Sequence, residues 1–345
     1  MRYVFFTIIL IVSNLIMQAQ VIDPQMKAVL DTVFHYAKIS YLHSGKVNWN
    51  KLEEEAKQKA VSAKNVKDLK PVFEYMLNSM NDPHGSFIRP SDYSRIATFT
   101  NWDLYSKNSE DKRPRNNEIL KIINDRELRF SYAKLEKNTG YLRITGIAPN
   151  ADKQKEAVNI RDAIREMHGK GVDKWIIDLR YNGGGNMNPM MAGIAPILGN
   201  GFVGYLSNTN NDTLAKWTVR GGNFFWDNYM DIQMDNEPQI ENPGKVAVLI
   251  SRYTVSSGEF VAATFKGRDK TRFFGEATGG LTTNTNWVII GSELIMSISS
   301  GVYCDRNGNI YSKNIPPDET VDFEADKAPE NDKGIQAAIA WLQQK

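Results

Sequence analysis

The chain has 345 residues, with 42 Lys plus Arg against 40 Asp plus Glu, a formal net charge of +2. So even a balance supplies no field to attract nucleic acid or an anionic membrane, and no nucleic-acid partner is expected. The one cysteine, Cys304, excludes an intramolecular disulfide, while the length allows one large or two moderate domains stabilised by ordinary cores.

The first 20 residues, MRYVFFTIILIVSNLIMQAQ, place one Arg before an apolar run and end in small and polar residues, the pattern of a secretory signal. Asn14 and Gln18 shorten the strongly apolar part below the roughly 20 residues that a bilayer crossing needs. The expectation is an exported protein, periplasmic or secreted, with a mature chain starting near Val21 and no integral membrane domain after signal removal.

From Asp23 to Met80 apolar residues recur at three- and four-residue steps, which predicts three helices in an N-terminal subdomain over residues 21–90. Asp82-Pro83 ends the last helix, because proline disfavours helical geometry at the residue before it, and leaves His84 in a loop. Residues 91–139 form a β-rich connecting region with candidate strands at Ser94–Thr100 and Leu128–Leu135. The core predicted over 140–345 begins with GYLRITGI as a strand, an amphipathic helix, and KWIIDLR as a buried strand, read as a parallel pair with a helical crossover. The pattern returns with KVAVLIS, a helix from SSGEFVAATFKGR, and TRFFGEA. Turn-rich strands follow over roughly 286–323, and GIQAAIAWLQQ closes the chain as a helix. The fold class is therefore α/β with a mixed sheet and a helical N-terminal subdomain.

Three segments carry chemistry. In YTVSSGEFVAATF, Ser256 stands where a buried strand turns into a helix, close to helix-terminal N–H groups that can stabilise an oxyanion. The same segment also reads as Ser256 or Ser257 merely capping the helix. In DLRYNGGGNM, three successive glycines let backbone amides approach a ligand, and the spacing fits neither of the common phosphate loops. Of the four histidines, His35, His43 and His168 fall on helices or their ends. His84, flanked by Asp82 and Gly85-Ser86, is placed like the base that a serine nucleophile needs near neutral pH. No cluster has metal-ligand spacing, so neither a metal nor a cofactor is expected.

Taken in order, NDPHGSF, WIIDLRYNGGGN, VAVLISRYTVSSGEFVAATFKG and FFGEATGG resemble the tail-specific (C-terminal-processing) protease family, over most of residues 25–345. The resemblance implies a crotonase-like core of repeated strand-strand-helix units and a peptide or unfolded-protein substrate. Thr254, Ser256 and Glu259 fall on the family's "T-x-S-x-x-E" turn, which makes Ser256 the implied nucleophile, with the amides of Gly184 and Ser257 as the implied oxyanion hole. Pro317, Asp318 and Val321 match the family's C-terminal "P-D-x-x-V" stretch, and Asn314 replaces its glycine. The lysine of the serine-lysine branch is replaced by Leu281, so the match is to the serine-histidine (tricorn-like) branch with His84 as base. Tyr311 occupies the place of that branch's glutamate, which leaves Glu259 and Asp305 as candidate supporting acids. The stretch between His84 and Gly140 is too short for a PDZ domain and lacks its carboxylate-binding loop. The rival expectation is a non-catalytic ligand- or peptide-binding protein on the same fold.

Overall fold

The computed structural model describes residues 22–100, 130–235, 238, 240, 243–324 and 328–344. The signal expected over 1–20 lies outside the described residues. Helices α1 (Pro24–Ser40), α2 (Trp49–Lys59) and α3 (Lys70–Met80) form the N-terminal region. Asp23 and Asn48 cap α1 and α2 through their side chains, satisfying amides that have no partner inside the helix. Strands β1 (Ser86–Ile88), β2 (Arg95–Thr98), β3 (Phe130–Lys134) and β4 (Thr139–Ile144) follow, and both candidate strands of the connecting region coincide with described ones, β2 and β3. Then come α4 (Lys153–Gly169), β5 (Lys174–Asp178), α5 (Met187–Leu198), β6 (Gly201–Ser207), β7 (Thr213–Arg220) and β8 (Asn223–Trp226). The chain continues through β9 (Val246–Ile250), α6 (Ser257–Phe265), β10 (Thr271–Gly275), β11 (Thr283–Ile290), β12 (Leu294–Asp305), β13 (Ile310–Tyr311), β14 (Glu319–Thr320) and α7 (Lys333–Leu342).

The strands form two sheets. One has the order β14-β10-β9-β5-β4-β3 and is parallel except for the β3·β4 hairpin at its edge. The parallel pairing expected of GYLRITGI and KWIIDLR is that of β4 with β5. Its central strand β9 is apolar throughout, as a strand covered on both faces should be, and every residue of it is buried. The other sheet is antiparallel, runs β2-β1-β12-β6-β7-β8, and adds β11 and β13 along β12.

The helical N-terminal region shares its core with the far end of the chain. Leu30, Phe73, Met76 and Phe87 pack in one cluster with Ile290, Leu294, Met296 and Ile298 of β11 and β12. Phe73 of α3 stacks on Phe87 of β1 at 4.0 Å between ring centroids. This packing ties the loop between α3 and β1, which carries His84, to strands about 200 residues downstream.

Helix α5 and strands β6 to β8 have no counterpart in the sequence reading. Helix α5 is buried along most of its length and contains Pro196, so it shows no polar stripe and carries a helix-breaking residue. Its capping residue, Asn186, directly follows the glycine loop, so the helix takes over where the loop ends.

Candidate active site

The serine corner is built by hydroxyl groups bonded to backbone. After β9 ends, the Ser251 N–H donates to Thr254 Oγ1 at 3.0 Å, while Ser251 Oγ donates to the Arg180 carbonyl at 2.6 Å. Thr254 Oγ1 donates in turn to the Leu179 carbonyl at 2.8 Å. These bonds hold the turn after β9 against the glycine loop after β5. Ser256, which precedes α6, takes φ +55°, a region that L side chains seldom occupy. Such a corner costs on the order of 1–3 kcal/mol and presents the side chain outward.

Glu259 fixes that corner. Its carboxylate is fully buried and accepts from the Ser256 N–H at 3.0 Å and the Gly280 N–H at 2.8 Å, and also from the Thr278 hydroxyl. Burial pushes the Glu259 carboxyl up to about 7 against the pull of those donors. Asp305 is engaged elsewhere: it closes the 305–309 turn by accepting from the Asn307 and Asn309 amides, and it accepts from Tyr311 at 2.8 Å.

The histidine loop is clamped from both sides. Asn81 ends α3 in the left-handed region, the Asp82 N–H returns to the Leu77 carbonyl, and Tyr41 donates to the Met80 carbonyl at 2.7 Å. On the other side β1 pairs with β12, Ser86 opposite Ser297. His84 Nε2 thereby comes to 2.9 Å from Ser256 Oγ. Both residues are half-buried, so the pair is sheltered and still reachable. Burial first, and the positive charge of Arg95 second, pull the His84 imidazolium down to about 4, against the hydrogen bond with Thr283.

Behind His84 runs a line of hydroxyls. Its Nδ1 lies 2.9 Å from Thr283 Oγ1, which lies 3.0 Å from Ser299 Oγ. Ser299 Oγ donates at 2.7 Å to Asp82 Oδ1, and the Ser299 amide donates to Asp82 Oδ2 at 2.9 Å. Asp82 also accepts from the His84 N–H at 3.2 Å. Asp82 is buried, which raises its carboxyl pKa, and the amide and hydroxyl donors oppose that rise. The carboxylate that hydrogen bonds join to His84 is therefore that of Asp82, not Glu259 or Asp305. The sequence signal was the position of Asp82 two residues before His84, but Thr283 and Ser299 carry no local pattern that marks them.

An ionised carboxylate can only accept, and this gives the line a direction. With Asp82 ionised, Ser299 donates to it, Thr283 can then donate to Ser299, and Thr283 Oγ1 is left to accept from His84 Nδ1–H. The unprotonated Nε2 then faces Ser256 Oγ–H.

The two amides expected to form the oxyanion hole are engaged differently. The Ser257 amide sits at the first position of α6, where a helix offers its N–H no internal acceptor. The Gly184 amide instead donates to Asn182 Oδ1 at 3.0 Å. Gly184 also has to lack a side chain, since a Cβ there would lie 2.8 Å from Ser256 Cβ. The Ser257 hydroxyl donates to the Gly185 carbonyl at 2.5 Å, joining the glycine loop to α6. Of the other histidines, His35 packs edge-on against Tyr36 and His168 contacts the Val172 carbonyl, while His43 lies edge-on to Tyr41 and follows Leu42, whose amide donates to the Ser299 carbonyl.

Residues 138–321 match peptidase family S41, a span that contains β4 through β14 and the Ser256 corner. The chain belongs to that family. The nisin-resistance protein of Lactococcus lactis subsp. lactis is 28% identical over 214 residues, 61% of this chain and 62% of that protein. The match thus spans somewhat less than two thirds of the relative's own length. Among solved structures, a lipoprotein from Streptococcus agalactiae superposes with a TM-score of 0.66 at 19% identity, covering 94% of this chain and 98% of that one. The photosystem II D1 C-terminal processing protease gives a TM-score of 0.55 at 14% identity, covering 86% and 93%. At such identities the two structures speak to the fold, and both share the mixed α/β architecture of S41 proteases.

Among the described residues, no three or more His, Cys, Asp and Glu side chains are grouped to hold a metal ion, and no helix is long and apolar enough to cross a membrane.

Proposed function

We propose that this S41 member is an exported serine endopeptidase acting on peptide or unfolded-protein substrates, with Ser256 as nucleophile and His84 as general base. The observation that carries this reading is the 2.9 Å contact between His84 Nε2 and Ser256 Oγ, made by two residues 172 positions apart. His84 takes the Ser256 proton as the oxygen attacks the peptide carbonyl, and returns it to the leaving amine. Asp82, through Ser299 and Thr283, holds the proton on Nδ1 and so keeps Nε2 free to accept. Its negative charge stabilises the imidazolium that forms in the transition state. The Ser257 amide, at the positive end of α6, receives the oxyanion. Gly184 joins it by sharing its N–H between the oxyanion and Asn182 Oδ1. Export follows from the signal-like reading of residues 1–20.

The test is labelling of the mature protein with a fluorophosphonate probe, alongside Ser256→Ala, Ser257→Ala and His84→Ala, with hydrolysis of an unfolded protein such as reduced casein followed in parallel. Labelling of wild type and Ser257→Ala, lost in the other two, is the expected result. A folded wild type that neither labels nor cleaves would favour a ligand- or peptide-binding role on the same fold.

A further inference from the structure

Strand β11 starts at the candidate active site and, among the described residues, has one long edge unpaired. Its first residue, Thr283, contacts His84, and β12 occupies one of its edges from Thr283 to Ile290. No strand among the described residues pairs with the other edge. Proteins usually blunt such an edge with charge, proline or a covering element. The sequence of β11, TNTNWVII, has neither charge nor proline.

Side chains alternate along a strand, so Thr283, Thr285, Trp287 and Ile289 share one face. That face meets His84 at Thr283 and turns apolar further along. Trp287 is 45% exposed and Ile289 72% exposed. Tyr93, 37% exposed, lies 6.0 Å from the Trp287 ring and extends the apolar surface. The opposite face of the strand is already committed, because Val288 and Ile290 pack into the core with α1 and α3.

We propose that the free edge of β11 receives an extended peptide segment as an added strand, with Tyr93, Trp287 and Ile289 contacting its apolar side chains. The proposal rests on the peptidase reading and names where the substrate lies. Main-chain hydrogen bonds would supply sequence-tolerant affinity, and the aromatic surface would select alternate side chains. At about 3.3 Å per residue, Trp287 and Ile289 lie roughly 13 and 20 Å along the strand from Thr283. They would contact substrate positions about four and six residues from the scissile bond, two apart as the pleat requires. Continuity with His84 favours substrate over a second copy of the chain, which would have no need to reach the catalytic corner.

Binding is measured on Ser256→Ala protein, by fluorescence anisotropy of a dye-labelled unstructured decapeptide alternating Leu and Ser, and of the same peptide N-methylated at single amides. The expected result is at least tenfold weaker binding when alternate amides are methylated and little change for those between. Trp287→Ala, an exposed position, should weaken the unmethylated peptide at least tenfold. Methylation effects without a two-residue alternation, or unchanged affinity in Trp287→Ala, would overturn the proposal. So would self-association in sedimentation that Trp287→Ala abolishes, since the edge would then belong to a second copy. The two readings fail separately: alternating sensitivity in a protein that never labels with fluorophosphonate retains the docking edge and loses the peptidase. Labelling and cleavage without alternation do the reverse.

Discussion

Asp82 and His84 are two residues apart in the chain, yet their side chains are connected through Ser299 and Thr283, hydroxyls from strands more than 190 residues downstream. Every bond in that line is between 2.7 and 3.0 Å. Its direction follows from the one group that can only accept, Asp82.

If the line sets the tautomer of His84, then Asp82→Asn is expected to be damaging although it is nearly isosteric. The amide can donate to Ser299, reverse each hydroxyl, and leave Nε2 protonated toward Ser256. A fall in kcat of about 10²-fold or more is expected, within the roughly 10²–10⁴-fold that base catalysis contributes. Nitrogen NMR of His84 would report the tautomer directly, and an unchanged spectrum would show that Asp82 does not act through it.

Thr283→Val should break the line in its middle, whereas Thr283→Ser should retain it. The expectation is a kcat lowered about 10- to 100-fold in the valine variant, KM little changed, and recovery to near wild type in the serine variant. Equal activity of the two variants would assign Thr283 a packing role only.

The depressed His84 pKa predicts activity far into acid. A base works when neutral, so with an imidazolium near 4, kcat/KM should stay level from pH 7 to about 5 and fall below about 4. Arg95→Gln removes a repelling charge and should move that limb upward, most clearly at low salt because Arg95 is exposed. An acid limb near 6.5 in the wild type would mean that the ring is solvated.

Glu259 predicts a pH effect on stability of opposite sign to that of His84. Its folded pKa, raised to about 7 from 4.5, means that the folded protein takes up a proton there. That contribution is fully present below about 4.5 and lost as pH rises through about 7. His84, depressed from 6.5 to about 4, favours the fold at the high end of its own window and loses that contribution as pH falls from 6.5 to 4. Comparing urea midpoints of wild type and Glu259→Gln from pH 4.5 to 8 isolates the carboxyl. The difference should favour Glu259→Gln increasingly as pH rises, and a flat difference would contradict the shift.

The arginine after β5 is a structural anchor of the glycine loop. Arg180 is buried, pairs with Asp178 at 2.7 Å and Asp332 at 2.8 Å, and its carbonyl receives the Ser251 hydroxyl. Arg180→Met leaves two buried carboxylates without their cation and should cost about 3–5 kcal/mol of unfolding free energy. A urea titration is sufficient to measure it, and a loss below about 1 kcal/mol would show that the carboxylates find other partners or take up protons.

The sequence by itself determined the parts of this protein that local chemistry dictates. The apolar runs within β5 and along β9 read as buried strands, the three- and four-residue steps of α1 to α3 as helices, and Asp82-Pro83 as a break that frees His84. The corner at Ser256 was legible because a strand, a tight turn and a helix lie within one short segment, but that pattern fits a helix cap equally, and only the resemblance to the family's turn singled out Ser256. Helix α5 was hidden by its burial along most of its length, which removes the polar stripe that marks a helix. Tertiary structure alone decided which carboxylate is joined to His84. Serine and threonine hydroxyls are common and chemically bland, and nothing near Thr283 or Ser299 in the chain distinguishes them. They become partners of His84 because β1 pairs with β12 and β11 folds back on β12, which brings three distant segments within hydrogen-bond reach. Asp305 and Glu259 were plausible acids in one dimension, but Asp305 is bonded within its own turn, and Glu259 is taken up by the Ser256 amide and by Thr278 and Gly280, about 20 residues further on.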